Sequence, residues 1–161
     1  MKNCLILGLG SPNGDDQLGW LVVNKLTPIL QNMPNFKLLK SGGKHNEWIT
    51  LYGKYDYIIV IDAVADNQVT GTIIHCPIEK LKTNETLLRS SSHSLNLHES
   101  FELAKILTDK IVKTDFIGVC IAQYNPSQSL TPDVKKAIPN VVRKILHLTS
   151  DLSVLETVEE I

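Results

Sequence analysis

At 161 residues, with apolar side chains making up 43% and charged ones 20%, the chain is long enough to bury a core without disulfide or metal staples. A formal net charge of −1, with basic residues scattered in pairs such as Lys135-Lys136 and Arg143-Lys144, gives no electrostatic footprint for nucleic acid. No apolar run approaches the roughly 20 residues that cross a bilayer, so no membrane partner is expected.

The apolar residues after Met1-Lys2-Asn3 are broken at once by Gly-Ser-Pro-Asn-Gly-Asp-Asp, which favours a first strand over a signal peptide. Residues 4–7 form a continuous apolar run closed by Gly8-Leu9-Gly10, the pattern of a strand buried on both faces. Residues 17–30 carry Leu18, Val22, Leu26 and Ile29 at helical spacing behind Asp15-Asp16, and Pro28 should kink or end that helix. A short strand at 36–40 runs into Ser41-Gly42-Gly43, and 47–52 has room for one or two helical turns. Residues 56–64 (DYIIVIDAV) have the composition of the central strand, and 71–78 of another, entered through a turn at Thr70-Gly71. Leu97, Phe101, Ala104, Leu107 and Ile111 mark a helix opened by Asn96-x-x-Glu99, a capping-box start that leaves Ser90 to His93 in a loop. A buried strand at 116–122 follows. Thr131-Pro132-Asp133 then opens a last helix, a capping hydroxyl before Pro at the first helical position, running towards His147 with a kink at Pro139.

Strands alternating with helices predict an α/β fold: a mostly parallel twisted sheet flanked by helices on both faces, in one domain over 1–161 whose acidic tail frays. The cysteines Cys4, Cys76 and Cys120 lack Cys-x-x-Cys spacing and fall in or beside strands, so buried, reduced thiols in a cytoplasmic protein are expected. In parallel sheets the ligand site lies beyond the carboxyl ends of the strands. Unusual polar residues converge there: Asp15-Asp16 after the first strand, Asp62 at the end of the central one, and His93 before a helix. Each has an ordinary explanation alone, since acids complement a helix start and a strand-terminal Asp caps a turn. Together, Asp16, Asp62 and His93 offer two oxygens and a nitrogen to a divalent metal such as zinc or nickel, with room left for water or substrate. His45 is the reserve ligand, while His98 falls on a polar helix face with Glu102 and Lys105.

The order of these motifs resembles the nickel–iron hydrogenase maturation endopeptidases, nearly end to end. The shared pattern is Gly8-Leu9-Gly10, the paired acids Asp15-Asp16 with Gly19 beyond, Asp62-Ala63-Val64, Ser91-Ser92-His93, and a late strand leading to Leu130-Thr131-Pro132. The resemblance implies a phosphorylase/hydrolase-like fold and an aspartyl-type, metal-assisted endopeptidase. Such an enzyme removes a C-terminal peptide from a nickel-loaded hydrogenase large-subunit precursor and so activates the hydrogenase. It maps both catalysis and metal contact onto Asp16, Asp62 and His93, with nickel supplied by the substrate and zinc or cadmium able to substitute. It also implies that Gly42-Gly43 lines the same cleft. The chain departs from the family pattern at Ser11, Pro12, Gln17 and Lys44.

Rival readings account for less. A peptidyl-tRNA hydrolase shares only the opening turn, and a dinucleotide fingerprint fails because its third glycine would fall at Asn13. A non-catalytic nickel-sensing module docking on the precursor is the alternative from a different class. Cys4 and Cys120 lie within apolar runs, poor surroundings for a nucleophilic thiolate.

Overall fold

The computed structural model describes residues 2–42, 46–65, 68–81, 92–122 and 129–152, without the side chains of residues 46 and 92–96. Its five strands are β1 (Cys4–Leu9), β2 (Phe36–Ser41), β3 (Tyr57–Ala65), β4 (Ile73–Pro77) and β5 (Lys113–Ile121). They form one sheet in the order β2-β1-β3-β5-β4. The first four in that order run parallel, and β4 lies antiparallel to β5 at the edge. The expected α/β architecture is therefore present, with the DYIIVIDAV strand at its centre.

Both faces of the sheet are covered. Helices α1 (Leu18–Leu30) and α4 (Pro132–Leu148) pack on the side to which Cys4, Ile6, Ile59, Ile61, Ile117 and Val119 point. Short helix α2 (Asn46–Ile49) and the long helix α3 (Ser92–Thr108) cover the opposite side, against Leu5, Leu7, Ile58, Val60 and Phe116. This double covering explains why β1 and β3 are continuous apolar runs: alternate residues face two different cores, and neither face meets water. Aromatic packing anchors the second layer, with Trp48 and Phe101 ring centroids 4.3 Å apart and Tyr52 edge-on to Phe101 at 6.0 Å.

Several element boundaries differ from the sequence reading. Helix α1 continues through Pro28 to Leu30, because a proline in the last turn removes a single late hydrogen bond. Its buried stripe closes on Leu30, and Ile29 is half-exposed. Helix α4 likewise continues through Pro139, and its Thr131 hydroxyl does not cap it. Helix α3 begins at Ser92, so Asn96 is interior to it and no capping box forms at Asn96 and Glu99. Residues 92–96 contain no glycine or proline, and extending a nucleated helix is far easier than starting one. At its other end α3 stops at Thr108, where Asp109 takes a φ of 52°. Leu107 and Ile111, placed on the buried stripe by periodicity, are instead 66% and 83% exposed. Cys76 is half-buried, not buried, because the edge strand β4 is covered less fully.

The direction of α3 matters for the site. A side chain at Gly53, just before β3, would touch the Thr108 side chain, and Lys110 Nζ donates to the Gly53 carbonyl at 2.9 Å. The carboxyl end of α3 therefore sits at the amino ends of the parallel strands. Its 17 residues span about 25 Å, which carries its first turn back to the carboxyl ends.

Candidate functional site

The site is built where the pairing of β1 with β3 ends, β1 stopping at Leu9 while β3 runs on beside β5 to Ala65. After Leu9 the chain turns through Gly10, whose φ of +155° suits glycine, and whose missing Cβ leaves space for the Asp16 carbonyl oxygen. The Gly10 N–H donates to the Ser41 carbonyl at 3.0 Å, joining this turn to the end of β2. The chain then forms a 3-10 turn, Gly14–Gln17, that closes on itself: Asp16 N–H donates to the Asn13 carbonyl, and Ser11 N–H donates to the Asp16 carbonyl, both at 3.1 Å. Gly19 at the head of α1 lets that helix approach closely, since a Cβ there would run into the Leu9 and Ile61 carbonyl oxygens. The acidic turn is thereby pressed across the ends of β1 and β3.

Asp15 and Asp16 are 7% and 8% exposed. Both Asp15 oxygens face Thr131, Oδ1 accepting its N–H at 2.7 Å and Oδ2 its hydroxyl at 3.1 Å. Asp62 is wholly buried one residue beyond the last β1–β3 pair, Gly8 with Ile61. Its Oδ1 accepts the N–H of Ala63 at 2.8 Å, and it alternates onto the sheet face shared with Val60 and Val64, the face covered by α3. A fully buried carboxylate is expensive unless a cation or proton compensates it. The carboxylates of Asp16, in the turn after β1, and Asp62, in β3, are hard oxygen donors, and a borderline divalent ion held by them would call for a nitrogen or sulfur donor as well.

His93 lies in the first turn of α3 and not in a preceding loop. Its backbone is thus at the carboxyl end of the sheet, on the Asp62 side, while its side chain lies outside the described residues. His45 lies outside them too. Among the described residues no three His, Cys, Asp or Glu side chains gather to hold a metal ion. His98, further along α3, is half-buried.

Contacts invisible in the sequence also tie this end of the sheet together. The Trp20 indole donates to the Ser41 carbonyl at 3.1 Å, and Lys40 Nζ stands 5.9 Å from the centre of its ring. The Asp15–Thr131 contact gave no local signal either, because its partners are separated by 116 positions. At the opposite, amino end of the strands, the Tyr57 hydroxyl donates to Asp115 Oδ2 at 2.5 Å, and His75 Nε2 approaches the same oxygen at 3.4 Å. Burial first, then that hydrogen bond and the Asp115 charge, push the Tyr57 hydroxyl pKa up. Cys4 and Cys120 are buried as expected, and burial pushes the Cys4 thiol up to about 12. Cys4 is therefore no nucleophile near neutral pH.

No curated protein sequence matches the chain, but solved structures and a family model do. The fold is similar to that of the hydrogenase-maturating endopeptidase HybD from E. coli, with a TM-score of 0.79 at 22% identity over 92% of this chain and 93% of that one. It is similar also to the [NiFe] hydrogenase maturation protease HybD from Thermococcus kodakarensis, with a TM-score of 0.75 at 23% identity over 91% of this chain and 98% of that one. HycI of the same organism gives 0.74 at 22% identity over 92% and 93% of the two chains. At such identities these likenesses speak for the fold alone. The model of the hydrogenase maturation protease family HycI matches residues 20–148, spanning the central strand, α3 and α4. By that match over most of its length, the chain belongs to the hydrogenase maturation protease family.

Proposed function

We propose that this protease is a nickel-dependent endopeptidase of the cytoplasm that removes the C-terminal peptide from a nickel-loaded hydrogenase large-subunit precursor. The observation that carries this reading is the pair of buried acids, Asp16 in the turn after β1 and Asp62 in β3 just past its pairing with β1. The first turn of α3, bearing His93, lies at that same end of the sheet. Nickel here is cargo of the substrate, held in part by the precursor's own ligands, and zinc or cadmium can stand in for it. A bound divalent cation supplies polarisation of a carbonyl or activation of a water.

The chain's own residues do the positioning. Asp16 is carried on a turn held by backbone hydrogen bonds at both its N–H and its carbonyl. Asp62 is held by the N–H of Ala63, which uses one carboxylate oxygen and fixes the plane of the group. His93 completes the set as a neutral nitrogen donor. Nickel carried by the precursor would bring positive charge to these acids, so metal loading and recognition of the cleavage site become a single event. Hydrolysis assisted in this way needs no thiolate, consistent with the elevated Cys4 thiol pKa.

The test is incubation of the purified chain with a nickel-loaded large-subunit precursor and with the nickel-free form, followed by intact-mass measurement. Loss of the C-terminal peptide only from the loaded form is expected. Tight binding without cleavage would favour a nickel-sensing docking module, and equal cleavage of both forms would remove nickel from the mechanism.

A further inference from the structure

We propose that Asp15 is a positioning residue: its carboxylate clamps the acidic turn to the head of α4 and thereby sets the orientation of Asp16. This deepens the reading above and rests on Asp16 being a metal contact. Asp15 is 7% exposed, and its two oxygens take the N–H and hydroxyl of Thr131 at 2.7 and 3.1 Å. A two-point grip fixes the carboxylate in rotation as well as in position. Pro132 follows at the start of α4 and has no N–H to offer, and the Thr131 hydroxyl does not cap its own helix, so both donors are free to serve Asp15. The negative group also sits at the positive end of the α4 dipole.

The consequence for Asp16 is geometric. Its N–H is tied to Asn13, its carbonyl to Ser11, and its predecessor to Thr131. The backbone of Asp16 is thus anchored on every side, and the carbonyl is pressed against Gly10 where no Cβ would fit. The clamp also divides the labour of two adjacent acids. With both oxygens engaged by Thr131, Asp15 supports the turn from behind, and Asp16 is the acid of the pair that would hold the metal.

The experiment compares Asp15→Ala, Thr131→Val, Thr131→Ser, the double variant Asp15→Ala/Thr131→Val and Asp16→Ala. Two quantities are measured: affinity for the cadmium ion alone by calorimetry, and kcat and KM on nickel-loaded precursor. Loosening a partner that orients a metal ligand typically costs about 10- to 100-fold. Asp15→Ala is expected to lose about tenfold in cadmium affinity and in kcat, with KM little changed. Thr131→Val should lose several-fold, Thr131→Ser should restore wild-type values, and the double variant should be no worse than Asp15→Ala. If Asp15→Ala and Thr131→Val lower only the unfolding temperature and leave cadmium affinity and kcat untouched, the clamp is structural and the proposal fails. Additive losses in the double variant also overturn it, since Asp15 would then act independently of Thr131. Should Asp15→Ala not fold, the Thr131→Val and Thr131→Ser pair decides the matter alone. Retained binding and cleavage in Asp16→Ala would instead sink the underlying metal-site reading, an outcome visible in that variant by itself.

Discussion

Of two carboxylates adjacent in sequence, Asp15 spends both oxygens on Thr131, a partner 116 positions away, while Asp16 has its backbone held within its own turn by Ser11 and Asn13. Asp62 shows the complementary principle. A carboxylate with no exposed surface is costly to the folded state, and such a cost is characteristic of functional positions. Asp62→Asn keeps the shape and removes the charge. It is expected to unfold at the same or a higher temperature while cleavage of nickel-loaded precursor falls by at least about 100-fold; calorimetry and intact mass check both parts. A lower unfolding temperature with intact cleavage would reverse the assignment. For His93 the comparison is with His98, half-buried on the same helix. His93→Ala is expected to abolish cleavage in a folded protein, whereas His98→Ala should retain it with a small loss of stability. The opposite pattern, measured with the same precursor, would move the nitrogen ligand along α3.

The helices carry a second lesson. The apolar period at Leu97, Phe101 and Ala104 identifies α3 correctly, and all three are buried. What periodicity mislocates is the ends, because Asn96 looks like a cap in isolation and lies within the helix in fact. A true N-cap asparagine contributes about 1 kcal/mol, whereas an interior one is worse than alanine by a few tenths. Asn96→Ala is therefore expected to leave the unfolding temperature unchanged or slightly raised. A fall of several degrees would restore the capping box and shorten α3 at its start. Placing the first turn at Ser92 changes how His93 is presented, from a loop to a helical turn whose backbone is hydrogen-bonded into a rigid element. Precise sites are better supported on such elements.

At the scale of the whole molecule, the two ends of the sheet carry different groups. The carboxyl ends carry the acids of the proposed site, while the amino ends hold Cys4, Tyr57, Asp115 and His75. Burial raises the Cys4 thiol from 9.0 to about 12, and the Tyr57 hydroxyl is raised from 10.0. Groups whose folded pKa exceeds the unfolded one hold more protons in the native state, so their stabilisation is complete below the unfolded value and lost as pH rises through the folded one. Chemical denaturation is therefore expected to show stability level near neutral pH and falling above pH 9, by about 1 kcal/mol per pH unit from Cys4. In Cys4→Val that decline should be shallower from pH 9, where the half-buried Cys76 thiol, also raised from 9.0, still contributes, and should steepen near pH 10 as Tyr57 and Tyr55 join it. An unchanged profile would mean that the thiol is not the group responsible, and intact cleavage by the same variant checks that it takes no part in chemistry. By itself the sequence determined the element types, the central place of residues 57–65, the two-sided burial and the family, because these are written in local apolar periodicity and in short motifs at strand ends. Only the tertiary structure decided that β4 turns antiparallel, that Ile29, Leu107 and Ile111 are left at the surface, and that Asp15 turns away to Thr131. Those outcomes depend on which distant segments meet, and a hydrogen bond across 116 residues leaves no trace in either local neighbourhood.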